Sequence, residues 1–220
     1  MDIKKTANLL LNFAINRLAE IFGFIISSAG ALIFIALLSY SPEDPNFIFP
    51  DNTEIKNILG FRGSFVSDLF LQSFGLMSYL ISFTFIVTGI NIFRTKEFFL
   101  IVENIFFSIG YLIFGTLLLA FFYSNTFTLY INGNGGFVGS YLNTTFLKSI
   151  IQINQTFFYY ILIILTILLF LISLNFHPIK FYKTVKNLIN LLNKKNNKNF
   201  TDKSEIINEY IPQEEIKNLI

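Results

Sequence analysis

Residues Ile21 to Pro42 read IFGFIISSAGALIFIALLSYSP, 22 consecutive positions without Asp, Glu, Lys or Arg. A bilayer core is about 30 Å thick and needs about 20 apolar residues per helical crossing, so this run is long enough to span. Three further runs share the property: Leu69 to Phe93, Asn104 to Leu147 and Ser149 to Ile179. At a helix centre each Leu, Ile, Phe or Val contributes only about −0.3 to −0.6 kcal/mol, while one Lys or Asp costs about +2.5 to +3.5, so a single charge would cancel roughly six apolar residues. The pattern predicts an all-α integral membrane protein with spans over 21–40, 69–93, 105–123 and 157–176. The third run exceeds one helix, and its second half, with Asn125, Asn132, Gly133, Asn134, Gly135 and Gly136, carries turn chemistry.

Lys and Arg set the expected orientation. Lys4, Lys5, Arg17, Arg94, Lys96 and the eight lysines from Lys180 to Lys217 fall on one side, and only Lys56, Arg62 and Lys148 on the other, 13 against 3. The positive-inside rule then places both termini and the short connection around Arg94 in the cytoplasm, with the two longer loops, 41–68 and 124–156, outside. The basic inner face suits anionic lipid headgroups, which makes the bilayer the first expected partner. A cleaved signal peptide has an apolar core of only 7–15 residues ending at small residues. Here Ser27, Ser28, Ala29, Gly30 and Ala31 sit in the middle of the run.

Both ends have interfacial character. Ile3, Ala7, Leu10, Ala14 and Leu18 recur near the helical period in a cytoplasmic amphipathic segment over 1–20, and Phe181, Val185, Leu188 and Leu192 do so in a basic helix over 177–192. Residues 193–199 are only Lys and Asn, a solvated composition that opens a cytoplasmic linker over 193–220. Within the spans, Gly23, Ser27 and Ala31 share one helix face, and Gly75, Gly110 and Gly115 also offer close backbone approach, the means by which membrane helices pack. Spans one to three are thereby expected to supply the close contacts, and span four, almost wholly Ile, Leu and Phe, more of the lipid surface.

Several chemistries find no support. There is no cysteine and one histidine, His177, so no triad or histidine–cysteine metal shell can be assembled. None of the 12 glycines precedes a lysine, which excludes a Walker A loop from these residues. No ionisable residue lies inside a span, where ion-coupled transporters keep theirs. A catalytic, cofactor or metal site is therefore not expected in this chain. A small transporter or channel subunit and an unrelated membrane scaffold remain the alternative classes.

The loops are more specific. Ser39-Tyr40-Ser41-Pro42-Glu43-Asp44-Pro45 leaves span one through two prolines that stiffen the exit. Residues 53–59 are expected to form a short surface helix stopped by Gly60, Ser64 to cap span two with Asp68 in its first turn, and Ser140 to cap another short helix.

This ordered set of four spans resembles the amino-terminal membrane domain of the bacterial FtsK/SpoIIIE DNA translocases. The likeness rests on the exit motif with Pro42, Asp44 and Pro45, on Asn57, Gly60 and Gly63 followed by Ser67 and Asp68, on Phe74 and Gly75, and on Gly135, Gly136, Gly139 and Ser140. It covers roughly residues 17–176 and departs from the family pattern at Ser82, where a proline is expected. The resemblance implies a membrane anchor in the bacterial inner membrane at the division septum, working with other division proteins. It also implies a hexameric motor elsewhere in the full protein that uses ATP and Mg to move DNA, so clustering of the membrane parts is expected. ATP, Mg and DNA are expected only for that motor, not for these residues.

Overall fold

The computed structural model describes residues 3–45, 54–124, 132–176, 186–187 and 189–190. Its elements are α1 (Ile3–Leu38), α2 (Gly60–Phe74), a 3-10 turn (Gly75–Met77), α3 (Ser78–Thr95), α4 (Leu100–Phe122), α5 (Gly136–Asn143), α6 (Phe146–Ile153) and α7 (Gln155–Ser173). Four segments are long and apolar enough to cross a membrane: Asn8–Leu38, Gly60–Thr95, Leu100–Phe122 and Gln155–Ser173. The protein is all-α, as its charge pattern predicts. The chain divides into two units, Met1–Asn175 and Phe176–Ile220. In the second, residues 186, 187, 189 and 190 are helical; the rest of the basic helix expected over 177–192, and the linker over 193–220, lie outside the described residues.

α1 is one uninterrupted helix of 36 residues, about 54 Å at 1.5 Å per residue. The amino-terminal amphipathic segment and span one thus join without a break, because no Pro or Gly lies between Ile3 and Phe22. α1 packs most extensively on α3, and α4 on α7. Backbone proximity drives the first pairing: a Cβ at Gly23 would lie 2.6 Å from the Gly89 carbonyl oxygen, and one at Gly30 2.7 Å from the Ile86 nitrogen. Ser27 lies against Gly89 from the same face, whereas Ala31 is only partly buried. Gly110 faces Leu169 of α7, and Gly115 faces Met77 and Thr166. Span three therefore meets span four through its own small residues, a close contact beyond those expected among spans one to three. Glu20 of α1 pairs with Arg17 and, at 3.0 Å, with Lys96, tying α1 to the left-handed residue that ends α3.

The two helix pairs are also joined by hydrogen bonds. Asn104 donates to the Thr88 hydroxyl at 2.8 Å and accepts from Asn175 at 3.1 Å; Asn91 donates to the Leu174 carbonyl at 3.3 Å; the Thr84 and Tyr111 hydroxyls lie 3.0 Å apart. Bonds of this kind inside membranes average about 0.6 kcal/mol and reach about 1.7. Asn104 makes two of them from a fully buried position. Asn104→Leu is expected to cost about 1–2 kcal/mol in SDS-induced unfolding, since it also leaves Asn175 and Thr88 without that partner. A stabilising substitution would show that the seam does not hold α3, α4 and α7 together.

Candidate functional site

At the loop end of the bundle the motif residues meet. Asp44, almost fully buried, accepts from the backbone nitrogens of Lys56 and Asn57 at 2.7 and 2.8 Å. This fixes the returning strand of loop against the exit from α1. Asn57, equally buried, then spans the junction: its amide donates to the Ala36 carbonyl at 2.9 Å, the Ser39 carbonyl at 3.3 Å and the Ser67 hydroxyl at 3.4 Å, while its oxygen accepts from Leu59 at 3.1 Å. The carbonyls of Ala36 and Ser39 lie at the end of α1, where helical partners run out, so Asn57 serves as a C-cap delivered from another segment. Ser39 returns the contact by accepting from the Ile58 nitrogen at 3.2 Å.

α2 rests on this knot. Gly63 lies directly against the Asn57 side chain, leaving no room for a Cβ. Ser64 donates to the Pro45 carbonyl at 2.8 Å, Ser67 to the Ser64 carbonyl at 3.0 Å, and the Tyr40 hydroxyl to Asp68 at 3.2 Å. Pro42 is exposed and Pro45 buried.

Three expectations are corrected. Residues 54–59 are not helical; Asp44 and Asn57 hold their backbone in a turn closed by the Gly60 nitrogen on the Asn57 carbonyl at 2.9 Å. This is the usual competition between Asx side chains and helical bonding. Ser64 accordingly sits inside α2, not at its cap, and Asp68 lies eight residues after its start. Ser140 likewise lies within α5 and donates to the Asn132 carbonyl at 3.0 Å, while Gly135 takes the cap position.

The second motif docks into a break in span two. At Gly75 the chain adopts φ 58° and ψ −141°, ending α2 and starting the 3-10 turn. The freed Leu76 nitrogen donates to the Asn134 carbonyl at 3.0 Å, so the glycine-rich turn supplies the acceptor the broken helix lacks. Gly136, with φ 64°, sits 2.5 Å from the Gly75 nitrogen by the position its Cβ would take, and Gly135 2.5 Å from the Thr116 carbonyl oxygen. Gly139 meets the same carbonyl. Asn132 donates to the Gln72 carbonyl at 3.2 Å, and Asn134 to the Tyr123 carbonyl. One turn therefore wedges between α2 and α4.

Charge is sparse here. The exposed Lys56 ammonium bonds Glu43, holding that carboxyl below its usual value and raising the lysine. Among the described residues no group of three or more His, Cys, Asp or Glu could hold a metal. The polar atoms of both motifs position backbone, which is the work of a rigid scaffold. The family model for the 4TM region of DNA translocase FtsK/SpoIIIE matches residues 16–186.

The chain belongs to this family.

Relatives named DNA translocase FtsK agree. The protein of Rhizobium meliloti (strain 1021) is 33% identical over 78 residues, covering 36% of this chain and 9% of its own length. That of Rickettsia typhi is 35% identical over 68 residues, 31% of this chain and 9% of its own, and that of Caulobacter vibrioides 32% over 69 residues, 31% and 8%. The matches span about a tenth of the length of these curated relatives. No solved structure matches. The chain is thus a multi-pass inner-membrane protein with an FtsK-like membrane-anchoring role.

Proposed function

We propose that this FtsK/SpoIIIE membrane region tethers a DNA translocase at the division septum, supporting cell division and chromosome segregation. The carrying observation is that the loop residues on which the resemblance rests, from Asp44 and Asn57 to Gly75 and Gly136, are spent on a clamp at the loop end of the bundle. Such a clamp gives the anchor a fixed surface for other division proteins. The distribution of Lys and Arg supports both termini in the cytoplasm, where a hexameric motor with its ATP, Mg and DNA would be attached, and where membrane regions would cluster. A transport pathway is disfavoured because Thr88, Asn104 and Asn175 satisfy one another instead of lining an open route.

A fluorescent fusion to the source protein is expected to gather at midcell, and depletion to give filaments with unsegregated DNA. Even membrane fluorescence with normal division would refute septal tethering. Orientation has its own test, since the chain lacks cysteine. Single cysteines at Ile58 or Tyr141 are expected to react with a membrane-impermeant maleimide in intact cells with a permeabilised outer envelope, and one at Thr95 only after inner-membrane lysis. The reverse pattern would invert the topology.

A further inference from the structure

A second feature of the loop end is not used by the clamp. Between α2 and the turn that docks on it lies an open cleft of about 250 Å³, lined by Phe65, Leu69 and Phe137 together with Asp68 and Gln72. This far exceeds the about 10–15 Å³ that one water requires. Leu69 and Phe137 remain 53% and 60% exposed, whereas Asp68 is only 7% exposed. Burying a carboxylate without a counter-charge costs several kcal/mol. Among the described residues the Asp68 carboxyl has the Tyr40 hydroxyl, at 3.2 Å, as its one side-chain partner, and no Lys or Arg lies within ion-pair distance of it. The cations at this end of the chain are Lys56, which pairs with Glu43, and the exposed Arg62 and Lys148. The loop segments 46–53 and 125–131 contain no Lys, Arg or His.

The geometry points to a docking cleft for an arginine side chain of another protein, whose guanidinium meets Asp68. A guanidinium offers a planar fork of donors suited to a carboxylate, and its flat face stacks on an aromatic ring such as Phe137; the Gln72 amide oxygen already accepts from Asn132 at 3.4 Å. Its three-carbon stem covers apolar surface of the kind Leu69 presents. A zwitterionic lipid amine fits less well, since it would bring its own phosphate up to the same carboxylate.

The chain contains no tryptophan, so Phe137→Trp places a single indole at the cleft. The full chain carrying it is reconstituted in phosphatidylglycerol nanodiscs and titrated with butylguanidinium, and separately with uncharged butylurea. A saturable fluorescence change is expected with the first and not the second, weakened at least about tenfold by Asp68→Asn. Tyr40→Phe keeps the carboxylate and removes its hydroxyl partner, so it should bind as well as or better than the parent, which guards against a general folding effect of Asp68→Asn. Equal responses to butylurea, no saturation, or an affinity indifferent to Asp68→Asn would overturn the assignment. So would displacement of butylguanidinium by phosphatidylethanolamine, which would give the cleft to lipid. Self-association abolished by both Arg62→Gln and Asp68→Asn would give it to a second copy and also overturn the assignment.

Discussion

Gly75→Ala is expected to destabilise the folded bundle by about 4 kcal/mol or more, near the top of the range for single substitutions. Two costs coincide there. The backbone at φ 58°, ψ −141° lies where L side chains rarely go, a strain of about 1–3 kcal/mol. A Cβ would also overlap the Asn134 carbonyl, lying 2.5 Å from its carbon and 2.7 Å from the Gly136 nitrogen. Neither atom can swing aside, because both belong to the turn that accepts the Leu76 hydrogen bond. Gly133 is the control: its φ is 69°, yet nothing lies within 4 Å of its Cβ position. Gly133→Ala should therefore cost only the left-handed penalty of about 1–2 kcal/mol. SDS-unfolding midpoints in matched micelles measure both. Equal losses would mean that conformation alone, and not the docked turn, demands glycine at residue 75.

Asn57→Ala ranks second, with an expected loss of about 2–4 kcal/mol. Truncation leaves the Ala36 carbonyl and the Leu59 nitrogen without the partners they have at 2.9 and 3.1 Å, in a place where Asn57 itself is 4% exposed. The effect should be local to the loop end. Exposed Pro42, a neighbouring motif residue, gives the comparison: Pro42→Ala should stay within about 0.5 kcal/mol of the parent. An Asn57→Ala variant as stable as Pro42→Ala would remove Asn57 from the centre of the clamp.

The spans were legible because the hydrocarbon core tolerates no charge, and Arg94, Lys96 and Lys148 mark the limits of the apolar runs. The loop motifs were legible as motifs, yet their partners were not. Nothing local announces that Asn57 caps α1 from 18 to 21 residues away along the chain. The break at Gly75 is hidden for the same reason: Phe74, Leu76 and Met77 continue the apolar pattern, and the acceptor that permits the break is Asn134. Residues 53–59 had helical composition, but two Asx side chains supplied better partners for the backbone. α6 carries a local sequence signal of its own. Phe146, Leu147, Ile150, Ile151 and Ile153 fall on one face of the helix and Lys148, Ser149 and Gln152 on the other, an amphipathic pattern that follows Thr145, whose hydroxyl accepts from Leu147. Asn154 likewise caps α7 by accepting from Phe157 at 3.1 Å.

Amide hydrogen exchange at Leu76 in the reconstituted chain tests most directly whether the glycine-rich turn clamps the broken span. The Leu76 amide should exchange as slowly as interior amides of α3, and Gly136→Ala should release it selectively while Thr84 stays protected. Exchange at Leu76 as fast as in an open loop, or protection unchanged by Gly136→Ala, would contradict the clamp.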